Sequence, residues 1–226
     1  MVLDDAPAST DVGNRVFGVR LPLALRFVEH LTTSGVERGL IGPREAARIW
    51  DRHVLNCAVV AELVPDGSRL VDVGSGAGLP GIPLSLARPD LGIVLVEPLA
   101  RRVEWLREVI ADLGLPVEVE RGRAEETSAR RRWEGADVVT ARAVAPLARL
   151  AGWCLPLLRP GGVMLAVKGV TASSEIERDG AAVRRAGGGQ ARIERCGSGI
   201  VDPPSTVIVV ERVRGTGSDR ARRKRG

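Results

Sequence analysis

The sequence has few aromatic, histidine and cysteine residues, and their scarcity excludes several kinds of site. Its 226 residues contain no tyrosine, two phenylalanines, two histidines and three cysteines. Cys57, Cys154 and Cys196 lie far apart without a CxxC pair, so neither a disulfide framework nor a zinc ribbon fits. Because only His30 and His53 could serve as imidazole ligands, we expect no metal site.

Long apolar runs are also missing from the chain. No stretch reaches the roughly 18 consecutive apolar residues that a membrane-spanning helix needs. Residues 1–7 carry two aspartates and lack the basic cluster and apolar segment of a signal peptide. We therefore expect a cytoplasmic protein that has no membrane partner.

Positive charge is concentrated at one end of the chain. The formal net charge is +5, but residues 212–226 carry seven basic residues against Asp219, or +6, and the other 211 residues sum to −1. We predict a disordered tail, which is either a solvated end or a segment that contacts phosphates. The basic clusters of the body, such as Arg101 with Arg102, are each typical of a solvated face or a helix end.

Length and hydrophobic pattern predict one main domain with a helical extension. A chain of this length is too short for two full α/β domains. Apolar residues between Leu21 and Leu31 recur at helical spacing, and Pro43 can open a second helix that runs to Leu63. Residues 1–14 are acidic and polar and are predicted to fray. The predicted division is a helical extension packed on the core at 1–64, a core domain at 65–211 and the basic tail at 212–226.

From residue 65 the pattern changes to short β-branched runs separated by helical segments. This alternation predicts an α/β fold with right-handed crossovers and a doubly wound, mostly parallel sheet. The last two runs have no helical stretch between them and are predicted to close the sheet as an antiparallel hairpin. The seven predicted strands are 70–73, 93–96, 117–119, 137–140, 163–167, 191–195 and 206–211, and the predicted helices are 82–88, 99–113, 124–130 and 145–158.

The segment LVDVGSGAGLPGIPL, residues 70–84, places three glycines at alternate positions after the first strand. Gly74, Gly76 and Gly78 permit positive φ and let backbone amides approach a ligand, which in such a sheet binds at the carboxyl ends of the strands. Asp72 at the strand end can accept hydrogen bonds from that ligand. Glu97 ends the second strand 25 residues later, where a carboxylate would bridge the two hydroxyls of a ribose.

Two cofactors share this arrangement of loop and acid. A dinucleotide site requires GxGxxG, but the sixth position counted from Gly74 is Leu79, and the third glycine comes one residue early at Gly78. S-adenosylmethionine has no pyrophosphate, and it needs only a tight turn around its methionine and an acid for its ribose. The residues therefore favour S-adenosylmethionine over NAD without excluding NAD.

The ends of the third and fourth strands add further candidate contacts. A backbone amide at Ala124 and the carboxylate of Glu125 could read an adenine edge, although Glu125 is equally typical of a charged helix start. Arg142 follows the fourth strand and is a permanent cation that could fork onto a carboxylate or phosphate, or form a surface salt bridge.

The fourth strand end also constrains the methyl acceptor. Methylation of an exocyclic amine typically uses an (Asp/Asn)-Pro-Pro-aromatic turn there, and methylation of pyrimidine carbon-5 needs a cysteine. The sequence TARAVAPL at 140–147 has neither, and DPPS at 202–205 lies between the last two strands, where it is predicted to be a turn. These absences suit guanine N7 as the acceptor, because it attacks with its own lone pair. We therefore expect no general base and assign Arg142 a positioning role.

Several of these motifs together resemble the RsmG family, also called glucose-inhibited division protein B. The matching segments are DVGSGAGLPGIPL, VEP at 96–98, GRAEE at 122–126, ARA at 141–143 and KG at 168–169. The resemblance covers residues 48–211. It implies a Rossmann-like class I methyltransferase fold, S-adenosylmethionine as the cofactor, and N7-methylation of a specific guanine in 16S ribosomal RNA.

The resemblance also implies roles for individual residues. By it, Gly74 and Leu79 line the cofactor, Glu97 lies near the ribose, Ala124 and Glu125 bind the adenosine part, and Arg142 closes the site near the methionine or the target.

A further segment, RHVLNC at 52–57, is similar to the family's usual Arg-His-(apolar)2-Asp-Ser. His53 is kept, while Asn56 and Cys57 replace the acid and the serine. His53 and Lys168 are candidate substrate contacts, although a lone histidine on an apolar helix face is more typical of a packed residue.

Three functions follow from these observations. The first is a methyltransferase that acts, as a monomer, on 16S ribosomal RNA or the small ribosomal subunit. The second is an NAD-dependent oxidoreductase on the same fold. Leu79 disfavours it, because a dinucleotide motif would have glycine at that position. The third is a non-catalytic protein that binds RNA or the ribosome, which the intact glycine loop and Glu97 disfavour.

Overall fold

A computed structural model describes residues 6–142 and 144–213. The last residue of the ARA motif, Ala143, lies outside the described residues, as does nearly all of the predicted tail, from residue 214 onward. The strands are β1 Arg69–Val73, β2 Gly92–Glu97, β3 Val117–Arg121, β4 Ala136–Arg142, β5 Leu158–Lys168, β6 Arg192–Cys196 and β7 Ser205–Glu211.

These strands form one seven-stranded sheet in the order β3-β2-β1-β4-β5-β7-β6. Strands β1 to β5 pair in parallel, whereas β7 pairs antiparallel with both β5 and β6. The predicted fold class and the closing hairpin are therefore confirmed. The central strands β1 and β2 are buried on both faces beyond their first residues, and apart from Asp72 and Glu97 these buried positions are all apolar.

Helices cover both faces of the sheet. Their bounds are α1 Ala6–Phe17, α2 Leu21–Thr32, α3 Ser34–Glu37, α4 Asn56–Ala58, α5 Gly81–Ala87, α6 Ala100–Leu113, α7 Thr127–Trp133, α8 Leu147–Cys154 and α9 Ala172–Arg185. One apolar cluster lies beneath the N-terminal helices and includes Phe27, Leu31, Ile82 and Trp105. The cluster on the other face lies beneath α8 and α9. Along the described residues, no helix combines the length and apolar character that a membrane span requires.

The N-terminal segment differs from the prediction. Fraying was expected over residues 1–14, but α1 begins at Ala6 and continues to Phe17. Phe17 is buried, and its ring lies 5.8 Å from that of Trp50 between centroids. This contact anchors α1 on the helical segment at Ile49–Leu55, which the polar composition of the first residues could not show. Residues 1–5 lie outside the described residues.

The second predicted helix is present but irregular. Instead of one α-helix from residue 43 to 63, the chain forms short turns at Ala46–Arg48 and Val59–Leu63, which flank α4 and a wide π-helical segment at Ile49–Leu55. A π-helical segment inserts an extra residue per turn and is frequent at functional sites. Here it contains His53, whose ring contacts the side chains of Glu45 in the preceding turn and Arg142 at the end of β4.

Helix α9 was not predicted from the sequence. Its buried positions are Ala172, Glu175, Asp179 and Val183, so two carboxylates occupy positions that usually carry apolar residues. Glu175 accepts the backbone N–H of Leu147 at 3.0 Å, and Asp179 accepts that of Ala148 at 3.1 Å. These carboxylates satisfy free N–H groups at the start of α8, where negative charge is favourable.

Candidate functional site

A cavity of about 600 Å³ lies at the carboxyl ends of β1, β2 and β4. The strand order reverses between β1 and β4, which is where open α/β sheets bind their ligands. The volume falls in the range of about 300–1,000 Å³ that is usual for small-molecule sites. Its lining includes most of the predicted site residues, namely His53, Gly74, Gly76, Leu79, Glu97, Ala124, Glu125 and Arg142.

The glycine loop forms one wall of this cavity, where Gly74 and Gly76 present only backbone atoms. Gly74 has φ +73° and Gly76 has φ +56°, a region that side chains disfavour. A Cβ atom at Gly74 would lie 2.8 Å from Cγ2 of Val144, another residue of the lining. The sequence therefore needs glycine at position 74 both for its backbone conformation and for the space in front of it.

Glu97 is the buried acid of the cavity, with 2% of its surface exposed. Its Oε2 accepts the N–H of Gly76 at 3.0 Å, and its Oε1 accepts the N–H of Leu99 at 3.0 Å. A carboxylate has about four acceptor sites, so each oxygen keeps one for a ligand. The glycine loop thus orients the carboxylate, and two neighbouring acceptor sites suit a vicinal diol.

Two predicted residues lie beneath the loop and not on the cavity wall. Asp72 is fully buried, and it accepts the hydroxyl of Thr140 at 2.8 Å and the N–H of Gly81 at 3.2 Å. Burial raises the pKa of Asp72 to about 6. Gly78 lies where a Cβ atom would be 2.5 Å from Cδ1 of Ile82, so this glycine allows the loop to pack on α5.

The third strand contributes the opposite wall. Ala124 is buried and Glu125 is exposed, and both line the cavity with Gly122 and Arg123.

The sequence did not identify Arg102, which was interpreted as part of a solvated cluster. Its Nη1 lies 3.8 Å from Oε2 of Glu97, and its side chain is only one-third exposed.

Arg142 is held by the irregular helical segment. Its Nη2 donates to Nδ1 of His53, and its Nη1 lies 2.8 Å from Sγ of Cys57. On its other side, His53 Nε2 lies 2.8 Å from Oε2 of Glu45. The predicted packed histidine is thus also a link between two charged groups, which the sequence could not show because Glu45 and Arg142 are far apart in the chain.

The protonation state of His53 follows from its two partners. A guanidinium can only donate, so Nδ1 must accept, and the single ring proton lies on Nε2 and is donated to Glu45. Burial lowers the pKa of His53 below its ordinary value, which favours this neutral form. The hydrogen bond from His53 lowers the pKa of Glu45, which remains ionised.

Lys168 does not line this cavity. It lies in the wall of a neighbouring cavity, where its Nζ donates to the carbonyl oxygen of Ala145 and to Oε2 of Glu175, both at 2.8 Å. These contacts tie the end of β5 to the start of α8 and α9. Within residues 6–142 and 144–213, no group of three or more histidine, cysteine, aspartate or glutamate residues is placed so that it could hold a metal ion.

Comparison with known proteins identifies the family. Residues 20–201 match the model of the GidB family, rRNA small subunit methyltransferase G. A ribosomal RNA small subunit methyltransferase G of Mycolicibacterium gilvum is 56% identical over 205 residues, which are 91% of this chain and 90% of that protein. The corresponding protein of Salinispora tropica is 54% identical over 228 residues, with 97% and 94% covered.

A solved structure shows the same fold at low sequence identity. Fibrillarin of Aeropyrum pernix, in complex with natively bound S-adenosyl-L-methionine, aligns with a TM-score of 0.52 and 22% identity, over 70% of this chain and 74% of its own. Given the family match and these relatives, the chain belongs to the GidB family of ribosomal RNA small subunit methyltransferases.

Proposed function

We propose that the protein transfers a methyl group from S-adenosylmethionine to N7 of a guanine in 16S ribosomal RNA. Family membership makes it a methyltransferase of small-subunit ribosomal RNA. The choice of guanine N7 comes from residues 140–147 at the fourth strand end, which contain neither the turn for amine methylation nor a cysteine. Cys57 contacts Arg142 there, but it is fully buried, and burial raises the pKa of its thiol, which disfavours a thiolate nucleophile.

The cavity fits the cofactor at each of its parts. The two free acceptor sites of Glu97 suit the ribose hydroxyls, and they are the observation that carries the assignment. We assign the adenine to the wall at Ala124 and Glu125, and the methionine to the glycine loop at Gly74. In this arrangement the absence of side chains at Gly74 and Gly76, whose positive φ values favour glycine, lets the ligand approach the backbone closely.

The chain's contribution to the reaction is binding and orientation. Bound S-adenosylmethionine supplies a methyl group on a positively charged sulfur, which becomes a neutral thioether when the methyl departs. Guanine N7 forms the new bond with its own lone pair, so no proton has to be removed by a side chain. Arg142 cannot act as a base at any physiological pH, and we assign it the alignment of cofactor and target.

The remaining assignments concern the protein as a whole. We propose that residues 65–211 bind the cofactor, that residues 1–64 form a helical extension of that domain, and that the protein acts as a monomer. We place its activity in the cytoplasm, where its partner is either naked 16S ribosomal RNA or the small ribosomal subunit. Asp72 and Gly78 support the glycine loop from below and do not contact the cofactor.

The function is tested by binding and by product analysis. Titration calorimetry with S-adenosylmethionine, its demethylated product and NAD should show binding of the first two. Incubation with labelled S-adenosylmethionine and 16S RNA or 30S subunits that lack the modification, followed by nucleoside mass spectrometry, should yield N7-methylguanosine. Binding of NAD alone would overturn the cofactor assignment, and a methylated nucleoside other than N7-methylguanosine would overturn the acceptor.

A further inference from the structure

A second cavity of about 610 Å³ lies beside the first, between the carboxyl end of β5 and the β6–β7 hairpin. Arg142 lines both cavities, so the two adjoin at this residue. We call this second space the basic cavity. Its lining includes Arg52, Arg142, Lys168 and Arg195, with Glu175 as the one acidic residue among those that line it in the described parts of the chain.

The charge of the basic cavity is largely uncompensated. Glu175 neutralises only Lys168, whose Nζ lies 2.8 Å away and is mostly buried. Arg52 is exposed and lies 3.9 Å from a carboxylate oxygen of Glu45, a long distance for an ion pair. Within residues 6–142 and 144–213, neither Arg142 nor Arg195 forms a salt bridge with any carboxylate. Three guanidinium groups therefore face this space with N–H donors to spare.

The walls that carry these arginines are fixed to one another. Arg195 Nη1 donates to Oγ1 of Thr206 at 2.9 Å across the hairpin, which positions its guanidinium at the rim. Ser205 at the start of β7 donates its hydroxyl to the carbonyl oxygen of Asn56 at 2.7 Å, and so ties the hairpin to the helical segment that carries Arg52. The arginines are thus arranged before any ligand binds.

We propose that the basic cavity binds the target nucleotide of the RNA, with the guanine base toward Arg142 and the phosphates of its strand on Arg195 and Arg52. This assignment rests on the proposed methyl transfer, because donor and acceptor atoms must come to about 3–3.5 Å of each other and their sites must therefore adjoin. A cavity of this size holds one nucleotide, so the guanine enters it unstacked from its neighbours.

The excess of basic residues in the cavity lining suits an anionic ligand, which favours a nucleotide over a protein segment. Arginine forms bidentate hydrogen bonds with phosphate, and a strand of RNA provides successive phosphates at the rim where Arg195 and Arg52 lie. Val170 is fully exposed beside them and offers an apolar surface to a base. A free guanine nucleotide has the same chemistry as an RNA nucleotide, and the experiment below separates the two.

The test compares Arg195→Ala with Arg192→Ala. Both residues are exposed arginines of β6, but their side chains point to opposite faces of the strand, and Arg192 is paired with Glu194 and does not line the cavity. Binding of a labelled 16S RNA fragment is measured by fluorescence anisotropy at several salt concentrations, and S-adenosylmethionine affinity is measured by calorimetry. Guanosine 5′-monophosphate is titrated separately.

The proposal predicts that Arg195→Ala weakens RNA binding by about fivefold or more and lowers the salt slope by about one, while S-adenosylmethionine affinity is unchanged. Arg192→Ala should match the wild type in both. RNA affinity and salt slope that are the same in both variants would overturn the proposal, as would an effect of Arg195→Ala confined to guanosine monophosphate. If Arg195→Ala weakens RNA binding but the wild type forms no N7-methylguanosine, the cavity assignment stands and the proposed reaction fails.

Discussion

The guanidinium of Arg142 donates to Nδ1 of His53, and His53 in turn contacts Glu45 through Nε2. This chain of contacts joins the end of β4 to the turn before the irregular helical segment. It exists only while the imidazole is neutral, because a protonated ring has no acceptor for Arg142. The position of Arg142 in the cavity therefore depends on the charge of His53.

We expect methyl transfer to fall as the pH drops through the pKa of His53, which burial holds below its ordinary value. Glu45 raises that pKa, whereas Arg142 and Arg52 lower it. Glu45→Gln removes the raising charge, so the acid limb of the pH–rate profile should move to lower pH. The profile is measured with saturating S-adenosylmethionine.

The control for this experiment is Asp51→Asn, which removes an exposed carboxylate from the same segment without touching His53. Its acid limb should coincide with that of the wild type. An acid limb that does not move in Glu45→Gln would show that another group controls the rate.

Gly74→Ala should weaken S-adenosylmethionine binding by about tenfold or more, because the new methyl group would lie 2.8 Å from Val144 in the cavity wall. The positive φ adds a cost of about 1–2 kcal/mol to the folded state. Gly114→Ala is the matched control, since its φ is +60° and a Cβ there meets no atom within 4 Å. Both variants should lose similar stability in urea, but only Gly74→Ala should lose affinity in calorimetry.

Glu97→Gln should weaken S-adenosylmethionine binding by about 10- to 100-fold. The amide replaces one accepting oxygen with a donor, which then faces the N–H of Gly76 or Leu99 and leaves one acceptor fewer for the ribose. Glu118→Gln, at an exposed position on β3, should bind the cofactor as the wild type does. Equal affinity of all three proteins would show that the ribose lies elsewhere.

Asp72 predicts a pH dependence of stability. Its pKa is about 6 in the folded protein and about 4 when unfolded, so its contribution is complete below pH 4 and is lost as the pH rises through 6. The loss amounts to about 3 kcal/mol, to order of magnitude. Urea unfolding at several pH values should show a flatter profile for Asp72→Asn, whose amide can still bond Thr140 and Gly81. A slope like that of the wild type would contradict this prediction.

Removal of residues 214–226 should weaken RNA binding more at low salt than at high salt, because this segment carries six basic residues against one aspartate. The deletion keeps Arg212, which is buried and whose guanidinium contacts the carbonyl oxygen of Leu158. The deletion begins at residue 214 and not at 212 so that this contact is kept. Affinities that are equal with and without the tail at every salt concentration would show that the tail is only a solvated end.

Local sequence was sufficient to predict the strands of the sheet and the glycine loop. The strands are short runs rich in β-branched residues, which is typical of buried strands. Each predicted strand overlaps an observed one. Gly74 directly follows β1, and Glu97 is the last residue of β2. Parallel strands bring their carboxyl ends to one edge of the sheet, so these two residues lie close together. Helix α9 escaped prediction because Glu175 and Asp179 replace apolar residues on its buried face.

The sequence by itself determined the fold class, the family resemblance and the placement of the glycine loop beside Glu97. Each of these depends on residues that are close along the chain or on residues at the ends of strands. Only the tertiary structure decided which side chains share a wall. It placed Asp72 and Gly78 under the loop, and it joined Glu45, His53, Cys57 and Arg142 across as many as 97 positions of sequence. Such contacts depend on how the helical segment packs against the sheet, and no local pattern encodes that packing.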